Sequence, residues 1–224
     1  MMHQRKGKKI IIYFFILILF GSINNIKIND FKFKKIKNIY ISGLNDLENK
    51  IIMSDIKSLN LNNIFFINEN EINRIMNKNT LIEKFNIFKK YPSALEIKIE
   101  KTNFLATITQ NDKTFLVGSN GKLSSSNLST KELPHIFGKP NIQEFLKFKR
   151  IIDQSNISYS QIKNLYFFQS KRWDLELENN IVIKLPKTHI KKSLEETFIF
   201  LNEDKFKNIK IVDARVKNQI IINE

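Results

Sequence analysis

The sequence predicts an α+β chain with one apolar N-terminal helix, a small β-α-α-β-β unit and a larger strand-rich unit. Three observations carry that reading. A single apolar run, Ile10 to Ile23, follows a basic start; a mixed helix and strand pattern occupies residues 36–102; and short alternating strands separated by turn residues fill 103–224.

Arg5, Lys6, Lys8 and Lys9 precede the apolar run. Positive charge ahead of a lone apolar segment stays cytoplasmic, so residues 1–9 read as a cytoplasmic tail, 10–25 as a transmembrane anchor and the remainder as exported. A cleaved signal peptide competes with this reading, because the run falls short of the roughly 20 residues a spanning helix needs. Phe20 and Ile23 crowd the positions where a signal peptidase requires small residues, which favours the anchor, and the flanking Lys side chains can snorkel to the interface.

In the first unit, Ile36 to Ser42 alternates and stops at Gly43. Asn45 and Asp46 predict a helix start, with Leu47, Ile51, Ile52, Ile56 and Leu59 as its apolar stripe. Asn60 to Asn63 breaks it. After Ile64-Phe-Phe-Ile67, Asn68 or Asn70 caps a second helix carrying Ile72, Ile75 and Met76. Strands follow at Ile82 to Phe88 and Leu95 to Ile99, with Pro92 fitting only the connection between them.

The second unit opens with a hairpin, Leu105 to Thr109 and Thr114 to Val117, and a turn over Ser119 to Lys122. Ser124 to Ser126 and Lys131 to Pro134 read as loop. Asn141 to Asp153 has helical spacing. Strands are expected at Ile162 to Phe168, Trp173 to Leu177 and Ile181 to Leu185, with Asn179-Asn180 as a tight turn. A helix over Thr188 to Leu201 and strands over Ile209 to Val216 and Gln219 to Ile222 close the chain. An antiparallel, meandering sheet with flanking helices is the simplest arrangement of these pieces.

Composition restricts the chemistry. There is no Cys, hence no disulfide framework and no thiolate ligand. The formal charge of +15 comes almost entirely from Lys scattered along the whole chain, which reads as a solvated surface, with weak attraction to anionic lipid or cell-wall polymer a lesser option, and not as a nucleic-acid stripe. Three Ser-x-x-Lys strings, Ser54 with Lys57, Ser119 with Lys122 and Ser160 with Lys163, lack the Ser-Asp-Asn and Lys-Thr-Gly partners of a serine acyl enzyme. His3, His135 and His189 have no paired metal spacing. Asp153, Asp174 and Asp213 form no dyad, although Asp213 and Arg215 share a strand face and suit an ion pair. Trp173 suits a core or sheet-surface role, with sugar stacking a lesser option, and Gly118-Ser-Asn-Gly121 lacks the context of a phosphate loop. These features predict no enzyme, no cofactor, no metal, no nucleic-acid partner and no small-molecule substrate.

Several motifs resemble the FtsQ/DivIB family of bacterial division proteins. Ile39-Tyr-Ile-Ser-Gly43 is similar to the opening strand of that family's POTRA domain, and Phe88-Lys-Lys-Tyr-Pro92 with Leu95-Glu-Ile-Lys-Ile-Glu100 to its strand-Pro-strand ending. Leu133-Pro-His-Ile-Phe-Gly138 resembles the family's Leu-Pro-x-Leu-x-Gly element, Arg172 to Pro186 its Trp-strand, turn and return strand in an alphaproteobacterial form, and Ile211-Val-Asp-Ala-Arg215 its Asp-x-Arg strand. The chain departs from the pattern at Asn180, where Gly is common, and at Val216, where relatives often carry aromatic residues and a further tail.

The resemblance implies a POTRA-like domain over 36–102 and an FtsQ-type β-domain over 103–224. It implies a single-pass inner-membrane protein with a cytoplasmic N-terminus and a periplasmic bulk, placed at the division septum. It further implies a scaffold that links FtsB/FtsL-type partners and other divisome components. The closing β-branched run suits strand addition to a partner, which makes Val216, Gln219, Ile220, Ile221, Ile222 and Asn223 the candidate contact residues. A covered core strand is the competing structural role for that run. Two other functions remain open from the residues: a POTRA-bearing envelope transport factor and a secreted cell-wall-binding protein.

Overall fold

The computed structural model describes residues 4–23, 35–59, 61–125, 133–202, 209–217 and 219–223. Helix α1, Gln4–Ile23, carries the apolar run, and every large apolar side chain from Ile10 to Phe20 is exposed. Among the described residues, no helix is long and apolar enough to cross a membrane. Basic residues occupy the first turns of α1, which shortens the apolar part. Residues 24 and 25, the end of the expected anchor, lie outside the described residues.

Strand β1, Asn38–Ser42, leads through Gly43 into helix α2, Asp46–Ser58. Gly43 has φ of 117°, and a Cβ there would sit 1.8 Å from the carbonyl oxygen of Ile99, so only glycine fits where the strand turns into the helix. Asn45 closes a capping box: its side chain accepts from the Glu48 N–H at 2.8 Å while Glu48 accepts from the Asn45 N–H. The Ile64-Phe-Phe segment is a 3-10 turn, Ile64–Phe66, capped by Asn63, and Asn68 caps helix α3, Glu69–Lys78. Strands β2, Ile82–Lys90, and β3, Ala94–Lys101, complete a three-stranded sheet in the order β1-β3-β2, parallel between β1 and β3 and antiparallel between β2 and β3. The apolar stripe packs as its spacing requires: Ile52, Ile56, Ile72 and Met76 from the helices meet Ile82, Leu95, Ile97 and Ile99 in one buried cluster. Leu47 and Ile51, expected on that stripe, are exposed.

The remaining strands form one nine-stranded sheet. They are β4 Phe104–Gln110, β5 Lys113–Gly118, β6 Leu123–Ser125, β7 His135–Phe137, β8 Ile162–Phe167, β9 Trp173–Leu177, β10 Val182–Lys184, β11 Ile211–Asp213 and β12 Ile221–Asn223. Their order is β12-β11-β10-β9-β8-β7-β4-β5-β6. This corrects the expected antiparallel meander: β4 with β7, β7 with β8 and β10 with β11 are parallel. Helices α4, Ile142–Asp153, and α5, Ile190–Leu201, are the crossover connections that two of those parallel pairs demand. The helices touch each other and bury Phe145, Phe148, Ile152 and Leu194 against Leu165, Trp173, Leu175, Ile183 and Val212. Trp173 is a core residue, 4% exposed, with its ring stacked 4.7 Å from Phe148 and tilted 4.8 Å from Phe167, so it is not available to stack on a sugar.

One short strand falls where loop was expected, and a second, β7, follows the expected Leu133-Pro134 loop where no element was predicted. Ser124 and Ser125 belong to β6, while Ser126 and Lys131-Glu132 lie outside the described residues. β7 fills the Leu-Pro-x-x-x-Gly element and ends at Gly138, whose φ of 97° and closeness to the Phe167 carbonyl exclude a side chain. Several ends also move: β1 starts at Asn38, α5 at Ile190, and the closing strands shrink to Ile211–Asp213 and Ile221–Asn223.

A polar seam joins the two sheets. Glu83 accepts from the Thr102 and Ser119 hydroxyls at 3.0 and 2.7 Å. Asn120 donates to the Thr80 and Ile82 carbonyls at 3.0 and 2.9 Å, and Lys122 to the Asn77 and Asn79 carbonyls at 2.7 and 3.0 Å.

Candidate functional site at the C-terminal sheet edge

The end of the chain forms one margin of the nine-stranded sheet. β11 lies parallel to β10, with Val182, Ile183 and Lys184 opposite Ile211, Val212 and Asp213. β12 returns antiparallel, with Asp213 opposite Ile221, Val212 opposite Ile222 and Ile211 opposite Asn223. The Lys210 N–H donates to the Asn223 carbonyl at 3.1 Å, which fixes the tip of β12. β12 is last in the strand order, so its outer margin has no strand beside it among the described residues.

The six candidate residues do not behave alike. Ile221, Ile222 and Asn223 form β12 and are exposed, at 48% and 38% for the two isoleucines. Val216 and Gln219 are exposed in the link from β11, where the Gln219 N–H donates to the Val216 carbonyl at 3.2 Å. Ile220 instead packs partly buried against the large core. Alternation explains the split at 220 and 221, since neighbouring residues in extended chain point to opposite faces. Ile222 stays exposed because β12 lies at the margin, past the cover of the helices.

An ion pair braces the link. Arg215 Nε donates to both Asp213 oxygens, at 2.8 and 2.9 Å, its Nη2 bonds Oδ2, and its backbone N–H reaches Oδ1 at 3.1 Å. Those bonds from Arg215 hold the Asp213 carboxyl below the usual carboxylate range. Asp174, in β9 and across β10 from Asp213, behaves oppositely. It is 4% exposed, and burial pushes its carboxyl above the usual range although the Arg172 guanidinium at 3.2 Å and the Leu185 N–H at 3.3 Å both favour the charged form. Lys210 is the residue at this edge that sequence reasoning missed; it contributes through its backbone, which leaves no side-chain signal.

The Ser-x-x-Lys strings do not assemble. The Ser54 hydroxyl donates to the Ile51 carbonyl, Ser119 to Glu83, and Ser160 shares a bond with Ser158, while Lys122 and Lys163 turn to backbone carbonyls and to Asn180. His135 Nδ1 pairs with the Thr107 hydroxyl at 2.9 Å, and its desolvation lowers its pKa. His189 sits at φ of 59° ahead of α5 without a side-chain cap, and His3 lies outside the described residues. Among the described residues no group of three His, Cys, Asp or Glu could hold a metal ion.

A small helix-backed sheet followed by a large mixed sheet that ends, among the described residues, at β12 is the two-unit arrangement that the resemblance to the FtsQ/DivIB family predicts. Residues 34–101 match the POTRA domain of FtsQ type, and residues 106–215 match the C-terminal domain of cell division protein FtsQ/DivIB. The chain belongs to the FtsQ/DivIB family of cell division proteins. It is 25% identical over 200 residues to cell division protein FtsQ of Rickettsia conorii, covering 85% of this chain and 72% of the relative. The FtsQ proteins of Rickettsia bellii and Rickettsia typhi are likewise 25% identical, over 202 and 197 residues, covering 85% of this chain and 72% and 73% of theirs. The C-terminal match ends at Arg215, so β12 lies beyond it.

Proposed function

We propose that this protein is a non-enzymatic, bitopic inner-membrane scaffold of the divisome that recruits FtsB/FtsL-type partners by strand addition to β12. Family membership supports a role in division. The observation that carries the docking reading is the outer margin of β12, which has no strand beside it among the described residues and carries the uncharged β-branched Ile221 and Ile222. Main-chain hydrogen bonds supply the affinity, and Ile221 and Ile222 supply the side-chain selectivity. The anchor in this proposal is α1, whose exposed side chains from Ile10 to Phe20 gain by burial in lipid while Lys8 and Lys9 reach back to the interface. The same proposal places the tail at 1–9, the anchor at 10–25, the POTRA domain at 36–102 and the docking domain at 103–224, with the bulk of the chain periplasmic at the septum.

The test is affinity capture from dividing cells with the tagged, membrane-extracted full chain, Ile221→Pro and Ile221→Val. Ile221 stands opposite Asp213 and directs its N–H at β11, because Val212 and Ala214 face β10, so the Pro variant loosens the strand that presents the margin, whereas Val keeps both donor and branching. Small single-span coiled-coil proteins should be recovered with the full chain and Ile221→Val. Recovery with Ile221→Pro should fall at least about tenfold, the equivalent of about 1.4 kcal/mol. Equal recovery by a folded Ile221→Pro variant would overturn the docking assignment, and no such partner with any variant would overturn the recruitment role.

A further inference from the structure

The three-stranded unit has two unlike ends. One meets the large sheet through the seam around Glu83 and Asn120. The other gathers the start of β1, the C-terminus of α2, the 3-10 turn and the β2–β3 turn. There the Ile36 N–H donates to the Asn62 carbonyl at 3.0 Å, the Lys37 N–H to the Ser93 carbonyl at 2.8 Å, and Lys35 bridges Asn63. This is also the end to which α1 is tethered. The 11 residues 24–34 reach at most about 40 Å even when fully extended, and their sequence adds Lys27, Lys32 and Lys34.

A cavity of about 390 Å³ opens at this end, lined by Lys35, Lys37 and Lys57 over an apolar floor of Ile39, Ile56 and Leu61. Among the described residues no ion pair engages those three lysines, whereas the neighbouring Lys89 and Lys90 are already held by Glu69 at 2.8 Å and Glu96 at 3.1 Å. Asp55, the acidic residue nearest to Lys57 along α2, does not line the cavity. Beside it, Phe66 is 72% and Tyr91 62% exposed, and the Phe65 ring lies 5.2 Å from that of Tyr91. Uncompensated lysines and exposed aromatics at one end are the pairing that suits a bilayer interface: aromatic rings sit at headgroup level, and cations within a Debye length of about 8 Å attract anionic lipid.

We infer that this end of the POTRA unit rests on anionic phospholipid, with Lys35, Lys37 and Lys57 taking headgroup phosphates and Phe66 and Tyr91 entering the interface. The inference rests on the proposed anchoring of α1, because the tether is what holds the unit within reach of a bilayer. It gives the POTRA unit a fixed attitude on the membrane and so sets the direction in which the large sheet projects.

The chain has no Cys, so single labels can be placed cleanly. The full chain carrying Tyr91→Cys, or Lys113→Cys at the start of β5 as reference, is labelled with bimane and reconstituted into vesicles. One vesicle set is phosphatidylglycerol with phosphatidylethanolamine, the other phosphatidylcholine alone, and both contain headgroup spin-labelled lipid. Quenching should be several-fold stronger at 91 than at 113 in the anionic vesicles, and should drop in phosphatidylcholine. It should drop equally with Lys35→Gln, Lys37→Gln and Lys57→Gln combined, and with Phe66→Ser. Vesicle flotation separates the two readings. A chain that fails to float overturns the anchor and this inference together. A chain that floats with equal quenching at 91 and 113, or with quenching at 91 indifferent to lipid charge and to the lysine substitutions, overturns the inference alone.

Discussion

β2 and β12 both close a sheet, and they are made in opposite ways. β2 runs nine residues, turns Phe85 and Ile87 toward the small core, and carries Glu83, Lys84, Lys89 and Lys90 with a register irregularity between Ile82 and Lys84. β12 has three residues, none charged, all exposed. Lysines and bulges are how proteins defend a long sheet margin against stray pairing. β2 has both, whereas β12, among the described residues, has neither and is short. The difference teaches that an undefended margin beside a braced ion pair is the place to look for a partner strand, and that the longer margin is built to stay single.

The largest expected effect comes from loosening the sheet that carries β12. Trp173→Ala removes the ring stacked on Phe148 and tilted against Phe167 and should cost about 3–5 kcal/mol, read by urea unfolding. Partner capture should fall with it. Ile56→Ala, fully buried in the separate small core, should cost about 2–5 kcal/mol and leave capture by the remaining folded protein unchanged. Loss of capture from both variants at matched folded fraction would mean that the comparison between the two margins has the wrong basis.

The second effect exchanges the chemistry of the margins. Ile222→Lys gives β12 the defence that β2 has, and should weaken partner capture about tenfold with little change in stability, since Ile222 is already exposed. The reverse exchange, Lys84→Ile with Lys90→Ile, strips β2 and should produce concentration-dependent self-association by sedimentation velocity. A monomeric double variant would show that the irregularity at Ile82, and not the lysines, keeps β2 single.

Much of this arrangement is legible in sequence, for identifiable reasons. Trp173–Leu177 appears as expected because a five-residue alternating strand bounded by a turn leaves little choice of ends. Asn45 and Asn141 mark helix starts because each has Glu three residues on, and both capping boxes form. What escapes is short or non-local. β6 and β7 have three residues each, too few to show a period, and the parallel pairing of β10 with β11 depends on where α5 lies. At the site, the β-branched run points to β12, yet nothing in it tells that Ile220 turns inward and Ile221 outward. The lysine-lined cavity is less legible still, since Lys57 stands about 20 residues from Lys35 and Lys37 and only the fold brings them together.

The smallest expected effect concerns the Asp213–Arg215 ion pair at the end of β11. Asp213 is held below the ordinary carboxylate range by Arg215, so the folded state releases its proton more readily than the unfolded chain does. Its contribution is therefore complete above the unfolded carboxylate pKa of about 4 and is lost as pH falls through the lower folded value. Asp174 has the opposite sign: its raised pKa makes its buried charge a penalty at neutral pH that protonation relieves in acid. A melting curve of the native chain mixes the two, but the difference between native chain and Asp213→Asn isolates the first. That difference should be full at pH 7 and should vanish as the pH drops below the ordinary carboxylate range, in step with weaker partner capture, because Asp213 stands opposite Ile221 in the β11–β12 register. A difference that persists unchanged into strong acid would mean that the amide substitution disturbs packing, and that the ion pair does not hold the β12 margin in place.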